Sequence, residues 1–548
     1  MARYAYERLS AQDLSFLLAE DERSPMHVGA VAILEAGPLR NADGGIDVAR
    51  YRRAVESVLH GIPRYRQKLA WVPLDRWPVW IDDRHFDLGY HVRHLALPRP
   101  GTLEQLKELA SRVLARRLDP TRPLWEIWVI EGLEGGLHFA LLCKIHHCLT
   151  DGAGGADLAQ ILFSPAASGE IPDPVPYMPR PPPTPLELLG HALRERASLP
   201  LRALRRARER RERGDAPRGE LRRNAAALGR LVRSSLRTAS ETPINGELSP
   251  HRRFDWLTMP FEDVRELRRV LGASVNDVVL ATVAGALRRY LVRRRVDPER
   301  LEFRVAAPVN VRRGEDRGRL GNHVSTWIVR LPLGEPDPLA RLEQIRRTTG
   351  ELKSSEASRG IELLMGAAEW LPAGVLALGV GLARGPVNMI VTNVRGPQLR
   401  LHSVGAPLLG MYPLVPLIPG GGLGIALFSY EGRLCWGFNA DWELVPDLRA
   451  LVADVGAAFE ELRAATVARY LEARTAPPET AAAATPEAAP QPRARGPRTR
   501  RGGRPERTSA PVAASAAASS AVAAASSEGT ATAVETTSSG GCEPSRLE

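Results

Sequence analysis

Behind Ser10, apolar residues recur at Leu14, Leu17 and Leu18, the spacing of an amphipathic helix entered through a serine N-cap. The HVGAVAILE stretch that follows reads as a strand. A second helical pattern, VARYRRAVESVLHGI, places Val48, Ala54, Val55 and Val58 on one face, and Gly61 closes it. LWEIWVIEGLEGGLHFALLCKIHH predicts two strands joined by a glycine-containing turn over Glu131 to Gly136, with a helix, GADLAQILF, behind them. From about Ser164 the pattern breaks. A proline run, PDPVPYMPRPPPTP, leads into an arginine-rich stretch that ends near Pro250, as expected of an interdomain linker with embedded amphipathic helices. Mixed patterning resumes near Phe254 and runs to about Tyr470, with a strong helix at VNDVVLATVAGALRRYLVRR and strands at FRVAAPVNVR and HVSTWIVRLPL. The chain thus divides into an α/β domain over 1–165, a linker over 166–250, a second α/β domain over 251–472 and a tail over 473–548. Ala, Thr, Ser, Pro and Gly dominate the tail almost without aromatics, and such a composition predicts disorder.

Charge changes this picture in one place. The formal net charge of +11 suggests a nucleic-acid partner, but fifteen arginines against five acids lie between His191 and Ser240, and the remainder is close to neutral. No aromatic-rich RNA-recognition pattern accompanies those arginines, so a nucleic-acid partner is not expected. Leu221, Ala225, Leu228 and Val232 instead form a helical stripe flanked by Arg222, Arg223, Arg230 and Arg233. That pattern suits an anionic membrane or lipid-droplet surface, with a solvated linker helix packed on its own domains as the alternative. The longest apolar run, Leu371 to Ala383, is broken by Pro372 and is too short to span a bilayer. Four cysteines without paired spacing, and an N-terminus without the apolar core of a secretory signal, point to a reduced cytoplasmic setting.

The string with chemistry in it is KIHHCLTDGAGG, from Lys144 to Gly155, where a buried strand gives way to a helix. Adjacent side chains on a strand point to opposite faces, so only one of His146 and His147 can face a given cleft. The same divergence makes a zinc site built from His146, His147 and Cys148 unfavourable. A histidine at a strand end has an ordinary pKa of about 6.5 and can take up a proton near neutral pH, as a general base must. Read alone, the pair could equally be packing residues. Asn276 and Asp277 open the strong helix, where N-capping is the simple explanation.

The string H-H-x-x-x-D-G resembles the active-site motif of the bacterial wax ester synthase and diacylglycerol acyltransferase family, within a superfamily whose motif shortens to H-x-x-x-D-G. Other strings agree in order: LSAQDLSFLLAEDERSPMHVGA (Leu9 to Ala30), Pro123-Leu124-Trp125, SVNDVVLA (Ser274 to Ala281) and VTNVRGP (Val391 to Pro397), so that the resemblance covers about residues 4 to 470. It implies two chloramphenicol-acetyltransferase-like domains of mixed sheets with a substrate channel between them. It implies O-acyl transfer from acyl-CoA, as co-substrate, to diacylglycerol or a long-chain fatty alcohol, with no bound cofactor and no metal. By the same resemblance His147 is the general base and His146 supports it. Asp151 is structural, held by an arginine for which Arg312 is the candidate, and Gly152 allows close backbone approach. Asn276 and Asp277 gain a supporting role, and Ser325, Thr326, Thr392 and Asn393 become candidates for the oxyanion or the tunnel. Arg395 stands where the family commonly has proline, a departure in the late loop. A catalytically silent lipid- or carrier-binding protein of the same fold is the alternative, and the intact His147, Asp151 and Gly152 weigh against it.

Overall fold

The structure is a computed structural model. It describes residues 6–74, 76–149, 162–190, 192–194, 197, 239–310, 324–354, 374 and 387–475. Asp151, Gly152, Arg312, the run from Leu371 to Ala383 apart from residue 374, most of the arginine-rich segment and the tail beyond 475 lie outside the described residues.

The first half alternates short strands and helices: β1 (Glu7–Arg8), α1 (Ala11–Ala19), β2 (His27–Glu35), α2 (Val48–Val58), β3 (Gln67–Trp71), β4 (Pro78–Asp82), α3 (Leu88–His91), β5 (Val92–Ala96), α4 (Leu103–Ala115), β6 (Trp125–Leu133) and β7 (His138–His146). Ser10 caps α1 by accepting the Asp13 N–H at 3.1 Å. α4 begins with a reciprocal capping box between Thr102 and Gln105. The predicted strands over HVGAVAILE and in the LWEIWVIEGL…LHFALLCKIH hairpin form, because their alternation buries one face on each side of the sheet. The second half carries β8 (Arg252–Pro260), α5 (Phe261–Val270), α6 (Val275–Arg293), β9 (Phe303–Asn310), β10 (Val324–Leu331), α7 (Pro338–Ser354), β11 (Met389–Arg395), β12 (His402–Ser403), β13 (Ala406–Leu414), β14 (Leu423–Tyr430), β15 (Arg433–Asp441) and α8 (Leu448–Thr475). α6 is apolar nearly all round because it is the core of this half, covered by α7, α8 and a sheet. No single helix among the described residues is long and apolar enough to cross a membrane.

Two mixed six-stranded sheets organise the molecule, in the orders β12-β13-β2-β7-β6-β5 and β10-β9-β11-β14-β15-β8. Strand order and chain order therefore part company. β13 leaves the second half of the chain and pairs antiparallel with β2, so the first sheet is completed by residues nearly four hundred positions downstream. Where β13 crosses β15 the two backbones touch: a Cβ on Gly437 would stand 1.7 Å from the Pro413 carbonyl oxygen, a distance that only glycine permits. α4 ties the sheets together on another side. Its Ser111 hydroxyl accepts the Phe254 N–H at 2.8 Å, and its Lys107 pairs with Asp255 at 2.7 Å.

A third tie is buried. Asp441, with no exposed surface, takes the Ser249 N–H at 2.7 Å and the Arg252 guanidinium at 3.2 Å on one oxygen, and the Glu443 and Leu444 N–H groups on the other. Arg252 then donates across to the Arg23 carbonyl in the first half. A buried carboxylate with four such partners is satisfied, and removing it strands an arginine in the interior. Asp441→Ala is therefore expected to lower the unfolding free energy by about 3 to 5 kcal/mol in urea titrations, against about 1 kcal/mol for an exposed pair such as Arg269–Glu266 broken the same way.

Candidate active site

The two motif histidines part at the end of β7. Phe139, Leu141 and Ile145 enter one core and Ala140 and Leu142 the other, so the alternation sends His146 to the face of Lys144 and His147 to the face of Cys143 and Ile145. On the Lys144 face lies the C-terminal end of α4, whose last carbonyls need donors. Lys144 supplies them to Val113 and Arg116 at 3.2 and 2.9 Å, and the His27 Nε2–H donates to Leu114 at 2.7 Å. Glu126 stands 3.5 Å from the Lys144 ammonium. Burial lowers the pKa of Lys144, and Glu126 opposes that shift.

His146 is almost fully buried on this face. Its Nδ1 accepts the Cys148 N–H at 3.1 Å, which leaves the proton on Nε2, with the Glu20 carboxylate 3.6 Å away, beyond hydrogen-bond reach. Burial first, then His147 and Arg117, hold its pKa down at about 3. Despite the nearby carboxylate the ring is neutral, since a protonated Nδ1 would lose the bond from Cys148.

His147 opens a turn of 3-10 helix (His147–Leu149) and keeps part of its surface accessible. Phe16 of α1 stacks on its imidazole, ring centroids 3.8 Å apart and 17° from parallel. Burial lowers its pKa, partly offset by a backbone hydrogen bond, so the ring is neutral and able to accept a proton at physiological pH. The backbone around the pair is pinned from both sides: the His146 N–H donates to the Leu124 carbonyl at 3.0 Å and the His147 N–H to the Met26 carbonyl at 2.8 Å. The Pro123-Leu124-Trp125 and PMHVGA strings thus meet at the histidines. Trp125 is locked by its indole N–H to the Tyr65 carbonyl at 2.7 Å and stacks on His91.

The sheet face beside His147 is not closed. Val28 and Ala30 of β2 and Cys143 of β7 lie on inner strands yet are only partly buried, in surroundings apolar enough to push the Cys143 thiol up to about 12. A surface of this kind accepts a hydrocarbon chain.

In the second half, Ser274 and Asp277 form a capping box at the start of α6, and the second Asp277 oxygen accepts the Thr349 hydroxyl at 2.7 Å, tying α7 to α6. Asp277 is buried and committed to structure. Asn276 meets Asn393 of β11, carboxamide to carboxamide at 2.8 Å, so SVNDVVLA and VTNVRGP are brought together. Thr392 is half-buried opposite Ala426. Ser325 and Thr326 lie on β10, at the edge of the second sheet, paired with Val309 and Pro308, and Thr326 is exposed. An open cavity of about 570 Å³ between the start of α6 and the C-terminal half of α7, lined by Ser274, Asp277, Arg346, Arg347 and Lys353, contains neither motif histidine.

Sequence reasoning missed Phe16, Glu20, Met26 and Arg117. The SFLLAE string held the signal for two of them: Phe16 and Glu20 are four apart, on one side of a helix.

Residues 9–279 match a family model described as the wax ester synthase/diacylglycerol acyltransferase catalytic domain, and residues 320–463 match the corresponding C-terminal domain. A Mycobacterium tuberculosis protein provisionally named a diacylglycerol O-acyltransferase is 32% identical over 481 residues, covering 84% of this chain and 90% of that protein. A second M. tuberculosis protein, named in the same provisional way, is 31% identical over 487 residues, covering 85% of this chain and 98% of its own length. The structure of a wax ester synthase/diacylglycerol acyltransferase from Marinobacter aquaeolei superposes with a TM-score of 0.58 at 25% identity, over 84% of this chain and all of that one. The starter condensation domain of rhizomide synthetase in complex with C8-CoA shares the fold, at a TM-score of 0.52 and 15% identity, over 84% of this chain and 95% of that one.

The buried histidines make stability pH-dependent. Burial depresses the folded-state pKa of His91 to about 4, of His146 to about 3, and of His27 well below its ordinary value. Below about pH 6.5 the unfolded chain binds protons that the folded chain refuses, so stability is full above that pH and falls as pH drops toward 4. Each histidine contributes up to about 1.4 kcal/mol per pH unit. Urea unfolding of His91→Phe at pH 7, 6 and 5 should show a shallower decline than the parent protein, and identical slopes would mean that His91 does not take part.

Proposed function

We propose that this chain, which belongs to the wax ester synthase/diacylglycerol acyltransferase family, transfers a long-chain acyl group from acyl-CoA to the hydroxyl of diacylglycerol, a long-chain fatty alcohol, or both. The observation that carries the reading is the divergence of the two histidines, with His146 neutral and packed behind the sheet and His147 neutral, oriented and partly open beside an apolar sheet face. His147 removes the hydroxyl proton, the oxygen attacks the thioester carbonyl, and collapse of the tetrahedral intermediate expels the CoA thiolate, which recovers the proton from the imidazolium. Positioning and base catalysis suffice, and no acyl-enzyme forms. The C8-CoA bound by the related condensation domain supports acyl-CoA as donor. The family motif assigns Asp151 and Gly152 a structural role, with Arg312 as the candidate partner of Asp151, and all three lie outside the described residues.

Purified enzyme given palmitoyl-CoA with dioleoylglycerol or hexadecanol should release CoA only when an acceptor is present. His147→Ala should cut the rate by about 100- to 10,000-fold without changing the circular dichroism, and His146→Ala should cost less. Equal losses for the two would contradict the division of roles, and thiol release without acceptor would favour a hydrolase.

The arginine-rich segment between His191 and Ser240 docks the enzyme peripherally on an anionic membrane or lipid-droplet surface, where insoluble acceptors accumulate. Its charge supports this reading, each arginine near such a surface contributing about 1 kcal/mol. Neutralising five of these arginines should weaken binding to phosphatidylglycerol vesicles and leave binding to neutral vesicles unchanged. Binding that survives the substitutions at low and high salt alike would refute electrostatic docking.

A further inference from the structure

α1 is fastened at its start. The Trp77 indole N–H donates to the Leu9 carbonyl at 2.9 Å, Ala11 and Leu14 pack on the Trp77 ring, and Arg8 lies over it. The far end of the helix reaches the histidines twice. Phe16 lies flat on the His147 ring, and Glu20, one turn on, sits behind the pair. Glu20 is the C-cap residue of α1 and its carboxylate is nearly buried. One oxygen accepts the Met26 N–H at 3.2 Å and stands 3.6 Å from the His146 Nε2, while the other receives the Arg117 guanidinium at 2.9 Å. Met26 is the residue whose carbonyl holds the His147 N–H. Two routes, one through the ring and one through the backbone, therefore run from α1 to the same imidazole.

We propose that Phe16 and Glu20 are positioning residues for the base, Phe16 by fixing the plane of the His147 ring and Glu20 by fixing the Met26 segment and placing a negative charge behind the histidine pair. The proposal rests on the reading of His147 as general base. When His147 takes the acceptor proton it becomes a cation in a poorly solvated place. The face of Phe16 is attractive to that cation, and so is a carboxylate one ring away. The charged groups that act on the adjoining residues are Asp13, Glu20 and Arg64 at Cys148 and Arg117 at His146. Arg117 offsets part of the Glu20 charge, so Glu20 acts through geometry as much as through field. A fixed ring plane lowers the cost of reaching the transition state and leaves donor binding untouched, so the effect belongs in kcat and not in KM.

The test uses the full chain and steady-state transfer from palmitoyl-CoA to dioleoylglycerol, with Phe16→Leu, Phe16→Tyr and Glu20→Gln each made alone and in a His147→Ala background. Phe16→Leu and Glu20→Gln should each lower kcat by about tenfold with KM for palmitoyl-CoA unchanged, and Phe16→Tyr should restore most of the rate. In the His147→Ala background neither should lower the residual rate further, because nothing is left to position. Unchanged kcat, losses confined to KM, or losses that persist in full without His147 would overturn the proposal. An inactive His147→Ala enzyme beside fully active Phe16→Leu and Glu20→Gln enzymes removes this proposal alone. A fully active His147→Ala enzyme removes the base assignment and this proposal with it. Melting curves accompany each variant, and should Glu20→Gln fail to fold, the Phe16→Leu and Phe16→Tyr pair decides the outcome.

Discussion

The register of β2 against β7 sets where every group of the candidate site stands. His27 lies opposite His146 and Ala30 opposite Cys143, and the two backbones approach so closely that a Cβ on Gly29 would stand 2.3 Å from the Cys143 carbonyl oxygen. A slip of one residue would exchange the faces, sending His147 under α4 and His146 to the opposite face of the sheet. The register is held by burial on both sides: an apolar core takes Phe139, Leu141 and Ile145, and the carbonyl end of α4 takes His27 and Lys144. Neither set can trade places with the other. Lys144 in the apolar core would be an unpaired buried charge, and Ile145 under α4 would leave carbonyls without donors.

The first sheet is not a product of the first half of the chain. β13 forms part of it, Gly437 of the second sheet lies against β13, and the Asp441–Arg252 pair reaches across to Arg23 in the segment just before Met26. Met26 holds the His147 N–H. Packing in the second half is thereby linked to the placement of His147 through a few directional contacts, each of which tolerates little displacement. The Asn276–Asn393 contact does similar work within the second half, joining the start of its central helix to β11.

Locally periodic features were legible in the chain. The helix entered at Ser10, the two strands of the hairpin, whose turn lies at Glu134–Gly136 and not from Glu131, and the long helix opened by Asn276 and Asp277 all announce themselves within ten or twenty residues, because amphipathic period and capping chemistry are properties of a short window. The family was equally legible, because its strings recur in order. β13 was not. APLLGMYPL has no clean alternation, being covered on both sides, and its partner lies nearly four hundred residues away.

Sequence by itself thus determined the kinds of element, the two mixed domains and the residue types able to move a proton. Which histidine is packed and which is presented was narrowed to an either-or by strand alternation, but tertiary structure decided it through what covers each face. Asp277 resolved in the same way, into a cap and a tie to Thr349 seventy-two residues on. Phe16 and Glu20 looked like ordinary members of an amphipathic helix until folding set His147 and Met26 beside them. The physical reason is common to these cases: a side chain's intrinsic chemistry and local period belong to the chain, whereas its burial, its neighbours and hence its protonation belong to contacts between segments far apart in sequence.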